Sequence, residues 1–348
     1  NIDFFIDLMR NNMEYPKFKV CVNSMTFNQA KYITDTLDGF VMQQTNFPFI
    51  CIIIDDASTD DEPEIIRKYV ETNFDLLTSL TSYEIDNDDS VVLYSQHNTN
   101  KNCYFVVYFL KENHYSKNRS KGPYLAEWRK ICDYEAFCEG DDYWTDPLKL
   151  QKQADFLDAN PQCSLTYHAC KNVFSTPCKV NILYGECVKE SYSDIDILSI
   201  YPFQTATVMY RKDILDSDLY KKAQAIGCTA GDQILFLTAS RFGTIEGVNE
   251  QMSVYRRHEG GISQHMHDAD KLWKNFKDWQ KVALLFGGEI SSLIKKNQLS
   301  EYILFAFCDK KYLLFLRLEA LSLIKSPISF VQSLKTILCF HFNRFFKK

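Results

Sequence analysis

Residues 19–25 form a short, mostly apolar run that passes into Thr26-Phe27-Asn28, which predicts a strand entering a loop. Over residues 30–44, Ile33, Leu37, Phe40 and Val41 recur at helical spacing. A turn at Phe47-Pro48 leads into residues 49–54 (FICIII), a β-branched run of the kind found in strands buried on both faces. Strand, helix and strand in that order imply a parallel pair. The unit repeats: Ser58-Thr59-Asp60 predicts a helix N-cap, residues 65–74 the helix and residues 91–94 the next short strand. Between residues 96 and 129 the pattern dissolves into polar, Asn- and Lys-rich sequence around an aromatic stretch at 104–110, and it assigns no element there.

Order returns at residues 134–138 (YEAFC), a predicted strand that ends directly in Glu139-Gly140-Asp141-Asp142-Tyr143-Trp144. Thr145-Asp146-Pro147 then opens a helix whose apolar face is Leu150, Ala154, Phe156 and Leu157. The acidic cluster therefore sits at a strand's carboxyl end, the edge where open α/β sheets bind ligands. Strand-like runs at 164–168, 205–210 and 252–255 alternate with helical segments such as 233–241. From residue 270 onward the sequence reads as helical and turns basic, with Lys295, Lys296, Lys310, Lys311, Arg317 and Lys325 interleaved with Leu, Ile and Phe.

Composition narrows the partners. The 348 residues are enough for a large α/β domain with an appendage, and a net charge of -6 argues against a nucleic-acid partner, which needs a basic surface to displace counterions. The 12 cysteines are spread along the chain without a Cys-x-x-Cys pair, which speaks against zinc. Cys21 and Cys51 fall in predicted buried strands, as in a protein of a reducing cytoplasm. No apolar run approaches the roughly 20 residues a bilayer core requires.

Carboxylates spaced acid-x-acid on a rigid strand end suit a hard divalent cation that bridges two phosphates. Mg²⁺ or Mn²⁺ takes oxygen ligands and uses only one or two protein carboxylates, leaving its other positions to water and diphosphate. A solvated acidic turn at the start of the next helix is the plainer alternative.

Four segments resemble the family 2 glycosyltransferases of the nucleotide-diphospho-sugar transferase (GT-A) fold. They are residues 22–28 (VNSMTFN), Ile53 to Asp60 (IIDDASTD), close to the family's Asp-Asp-Gly-Ser-Thr-Asp signature, residues 138–157 (CEGDDYWTDPLKLQKQADFL), and Gly231-Asp232 followed by residues 252–261 (MSVYRRHEGG). The resemblance implies a Rossmann-like mixed sheet flanked by helices, with a catalytic domain over 17–265 and a helical, basic C-terminal region over 266–348. It implies inverting, metal-assisted transfer of a sugar from a nucleotide-diphosphate sugar, UDP-linked, to a hydroxyl of a carbohydrate or lipid-linked glycan in bacterial surface polysaccharide or glycolipid assembly. By the same resemblance Thr26, Phe27 and Asn28 line the nucleotide pocket, Asp56 faces the base, Glu139 the ribose, and Arg256 and Arg257 the diphosphate. Asp141, Asp142 and His258 face a Mg²⁺ or Mn²⁺ ion, and Asp232 is the general base; for Trp144 two places are open, stacked on the acceptor sugar or in the core. The implied place is the cytoplasm, with the basic tail suited either to lie on an anionic membrane face or to pack on the catalytic domain. A catalytically inactive sugar-nucleotide-binding module is the alternative class. A sugar-phosphate nucleotidyltransferase would need a Gly-rich, Arg- and Lys-bearing loop after the first strand, which Ser24-Met25-Thr26-Phe27-Asn28 is not.

Overall fold

The computed structural model describes residues 15–78, 81–174, 190–200, 202–228, 231–258, 260–261 and 269–295. The chain divides into two compact units. The first holds residues up to Ser191 together with Pro202–Ile214 and Phe242–Arg257, and the second holds Tyr192–Tyr201, Leu215–Arg241 and the chain from His258 on. The basic region beyond residue 295, expected to be helical, lies outside the described residues.

The first unit is built on one mixed sheet of 11 strands. In chain order these are β1 (Val20–Thr26), β2 (Phe49–Asp55), β3 (Phe74–Asp75), β4 (Ser82–Asp86), β5 (Ser90–His97), β6 (Cys103–Leu110), β7 (Tyr134–Phe137), β8 (Tyr143–Trp144), β9 (Cys163–Phe174), β10 (Met209–Arg211) and β11 (Thr244–Arg257). Their spatial order is β3-β5-β6-β2-β1-β7-β10-β9-β11-β8, with β4 paired to β5. The four central strands β6, β2, β1 and β7 run parallel, so the loops that follow them gather at one edge. β10 then reverses direction against β7 and β9, and β11 runs parallel to β9.

The β-branched run of β2 explains its central place. Phe49, Cys51 and Ile53 enter the apolar cluster beneath helix Ile33–Val41, while Ile50, Ile52 and Ile54 enter the one that holds Tyr94 and Trp128. All seven residues of β2 are buried, as a strand covered on both faces requires. Helix Lys149–Ala159 closes the first cluster with Leu150, Ala154 and Leu157, and helix Gly122–Arg129 closes the second with Leu125 and Trp128.

Three expectations change. The strand after the second helix is not the next parallel strand, because β5 pairs antiparallel with β6, and β6 itself takes the place beside β2. The aromatic stretch left unassigned is that β6, whose polar flanks are loops at its two ends. Residues 205–210 begin as a 3-10 turn, Thr205–Thr207, and only Met209–Arg211 join the sheet.

In the second unit, helix Asp218–Ala225 is capped by Ser217, whose hydroxyl accepts from the Tyr220 amide, and helix Gly231–Phe242 carries Asp232 in its first turn. Helix Ala269–Phe286 buries Trp279, Val282 and Ala283. Its Lys274 donates to the Gly227 carbonyl at 2.8 Å and, with Lys281, pairs with Asp278.

Candidate active site

The loops after β1, β2, β6 and β7 are tied to one another in sequence across the sheet edge. Asn28 stands in the left-handed region at φ 54°, which asparagine tolerates, and its Oδ1 accepts from the Thr59 amide at 2.7 Å. Its own amide donates to Ser58 Oγ at 2.9 Å. Ser58-Thr59-Asp60, expected to cap a helix, mostly serve this junction. Helix Glu62–Asn73 starts after Asp61 without a side-chain cap, and Asp60 supplies a carboxylate oxygen to the Glu62 amide. Glu62 is buried and binds Thr26, the Gln29 amide and Ser58, and burial raises its pKa against those bonds.

Asp56, expected to face the nucleotide base, is 2% exposed and engaged elsewhere. One carboxylate oxygen accepts from the His114 amide at 2.7 Å, and the other accepts from the Tyr115 amide at 3.0 Å and pairs with Lys121 at 2.8 Å. It pins the loop after β6 to the loop after β2. Asp55, also buried, has its pKa pushed up to about 6, by burial foremost.

The acidic loop after β7 is fixed from three sides. The Gly140 amide donates to the Met25 carbonyl at 3.1 Å, and a Cβ at Gly140 would collide with Thr26 Oγ1 and Gln29 Oε1. Thr36 Oγ1, from helix Ile33–Val41, is within hydrogen-bond reach of both the Gly140 carbonyl at 3.0 Å and the Asp142 carbonyl at 2.6 Å. From β11, the Arg256 amide donates to Asp142 Oδ1 at 2.8 Å, and its guanidinium donates to the Asp141 carbonyl at 3.0 Å, pairs with Asp35 and lies over the Tyr143 ring at 4.3 Å.

These bonds separate the three acids. Asp142 is 1% exposed; burial, with Asp141 and Glu139 close by, holds its carboxyl well above the usual carboxylate range. It organises the loop, which corrects its expected place among the metal ligands. Glu139 is half-buried and accepts from Thr205 Oγ1 at 2.8 Å. Asp141 is half-buried too, and its backbone carbonyl accepts from the Arg256 guanidinium. Hard oxygen donors of this kind fit Mg²⁺ or Mn²⁺, which need only one or two of them. Among the described residues, no group of three or more His, Cys, Asp or Glu side chains converges as a complete cage.

Other expected residues fall differently. Thr26 is buried and spends its hydroxyl on Gln29 and Glu62, whereas Phe27 is 43% exposed at the same edge. Trp144 is 1% exposed: its Nε1 donates to the Ala206 carbonyl at 3.0 Å, its ring meets Phe40 edge-on, and its backbone abuts Gly39. A ring so enclosed belongs to the core and cannot stack on an acceptor sugar. Arg256 is spent on the acidic loop, and Arg257 is buried on β11 near the Tyr255 ring. His258 is the first residue beyond β11 and, like Asp232, belongs to the second unit. Asp232 Oδ1 accepts from the Gln233 amide at 2.7 Å. Thr36, Lys121, Thr205 and Asp35 carry no motif of their own, and only their distant partners reveal them.

A family model described as Glycosyl transferase family 2 matches residues 21–80, which span β1, β2 and the tied loops between them. Over that stretch the chain is similar to glycosyltransferase family 2. Uncharacterised proteins of Mycobacterium tuberculosis and Mycobacterium bovis are 31% identical to it over 252 residues, or 72% of this chain and 62% of each relative. The chain therefore spans less than two thirds of those relatives' length. Among solved structures, residues 1–349 of S. aureus TarS in complex with UDP-GlcNAc match it with a TM-score of 0.53 at 20% identity, covering 84% of this chain and 73% of that one. A further S. aureus TarS structure matches with a TM-score of 0.51 at 19% identity, covering 83% and 44%. The shared fold is GT-A.

Proposed function

We propose that the chain is an inverting glycosyltransferase of family 2 that moves a sugar from a UDP-linked donor to a hydroxyl of a surface polysaccharide or glycolipid. The observation that carries the reading is the acidic loop, locked by Thr36, Gly140 and Arg256 at the edge where four parallel strands end. A site that is rigid before substrate arrives spends no binding energy on ordering itself.

In this reading Asp141 holds a Mg²⁺ or Mn²⁺ ion, Glu139 meets the ribose and exposed Phe27 offers its ring face to the nucleotide. A bound ion of this kind offsets the charge of the departing diphosphate. Asp232 takes the proton of the acceptor hydroxyl as that oxygen attacks the anomeric carbon, and the bond to the diphosphate breaks on the opposite face. Asp232 stands in the first turn of a helix, with one carboxylate oxygen accepting from the Gln233 amide. Arg256 serves the site by holding the acidic loop in place. The basic residues after 295 give the chain a means of resting on an anionic membrane surface, where lipid-linked acceptors lie.

UDP-N-acetylglucosamine, the molecule in the TarS complex, is the first donor to test, with nucleotide release followed in Mn²⁺ and in Mg²⁺. Asp141→Asn is expected to weaken metal-dependent donor binding. Asp232→Asn is expected to leave donor binding near wild type and lower turnover at least about a thousandfold. Tight donor binding without turnover in the wild type, across acceptors, would identify an inactive module instead.

A further inference from the structure

The segments that lead into β2 and β6 lie at the other edge of the parallel strands from the acidic loop, and with the start of helix Lys149–Ala159 they border a broad, open cleft of about 730 Å³. Seven of the ten residues lining it are neutral amides or hydroxyls, three are aliphatic or thioether side chains, and none is charged.

The inner amides build a rigid floor. Asn100 Nδ2 donates to the Val41 and Gln43 carbonyls at 3.0 and 2.7 Å. Gln43 donates to the Gly39 and Asp146 carbonyls and accepts from the Leu150 amide. Gln151 accepts from the Asn46 amide at 2.8 Å. The outer amides are not used this way: Gln44 and Asn46 are exposed, and their side chains make no hydrogen bond to another described residue. Beside them Leu148 is 41% exposed.

An anionic ligand needs cations and a metal needs carboxylates; this cleft has neither. A neutral saccharide presents paired hydroxyls that match a carboxamide, which donates and accepts side by side, and C–H faces that cover aliphatic surface. We propose that the cleft binds a neutral glycan chain, away from the donor site, and so holds the acceptor or its product on the enzyme. Only the identity of that glycan as acceptor rests on the transferase reading. Tethering at a second point raises the acceptor's local concentration at the first.

The test is direct binding, with neither donor nor metal present, of maltohexaose, cellohexaose and chitohexaose to the ¹⁵N-labelled chain. At least one is expected to shift the side-chain NH₂ signals of Gln44 and Asn46. The double variant Gln44→Ala/Asn46→Ala, which changes only exposed side chains, is expected to weaken that binding about tenfold or more. Its nucleotide release from UDP-N-acetylglucosamine in water should match wild type. The proposal is overturned if none of the three sugars shifts those signals, if the double variant binds as tightly, or if hexagalacturonate or hexaalanine binds as well as the neutral sugars. Failure here leaves the transfer reaction untouched, and absence of transfer with glycan binding intact sinks only the transferase reading.

Discussion

At the scale of single residues, Ala57 stands at φ 58° in the left-handed region, directly after the paired acids of β2. An alanine Cβ there costs roughly 1 kcal/mol that glycine avoids, and the related signature writes glycine at this point. Ala57→Gly should therefore stabilise the chain by up to about 1 kcal/mol, visible as a higher urea midpoint at unchanged slope, with no loss of nucleotide release. Gly140→Ala should act in the opposite sense. Its methyl meets Thr26 and Gln29, and relieving the clash means moving the acidic loop, so a cost of about 1–3 kcal/mol should come with weakened metal-dependent donor binding. Calorimetry and donor titration on the same sample check both parts. These residues show how far the sequence was legible. Asp55-Asp56 and the acidic cluster announced an edge of carboxylates, but their division of labour depends on partners 58 and 114 residues away, His114 for Asp56 and Arg256 for Asp142. No local pattern carries that information, and the sequence left Trp144 open between acceptor and core for the same reason: what covers it is Phe40 and Ala206.

Among the elements, β2 was readable because its apolar run over residues 49–54 is continuous, as burial on both faces demands, and β1 and β7 because theirs are mostly apolar and end in loops. β6 was equally apolar yet hidden, since its neighbour β5 arrives by a hairpin and not through a helix, and the expected repeat misdirected the reading. Helix Lys149–Ala159 buries an unexpected group. Lys149 is fully buried, its Nζ lies 3.8 Å over the Trp144 ring and finds no hydrogen-bond acceptor among the described residues. Burial lowers its pKa to about 7. The unfolded lysine titrates near 10.4. Between those values the unfolded chain binds a proton that the folded chain does not, so stability should rise as pH goes from 7 toward 10, and below 7 the full penalty of a buried charge applies. Lys149→Met should remove that slope and be more stable than wild type at pH 7 by about 2–4 kcal/mol. Urea titrations at pH 7 and pH 9 measure it; a variant less stable at pH 7 would show that the ammonium's contact with the indole outweighs its desolvation.

For the whole molecule, no helix of the described residues is long and apolar enough to cross a membrane. The lysines and arginines after residue 295 are the charges that, in the proposed reading, would hold the chain on an anionic bilayer. The full chain should co-sediment with phosphatidylserine vesicles at low salt and leave them as ionic strength rises, while a chain ending at Lys295 should stay in solution at every salt concentration. Equal sedimentation of the two would place the contact elsewhere. The bond between the Arg256 amide and Asp142 has a consequence of another kind, for how the protein is made. Synthesis delivers every acid of the loop more than a hundred residues before the strand that fastens it. Until β11 has left the ribosome, the nascent chain holds three neighbouring carboxylates whose loop is fastened by Met25 and Thr36 but not yet by Arg256, and a product interrupted upstream of β11 carries the full acidic motif with one side of its clamp missing.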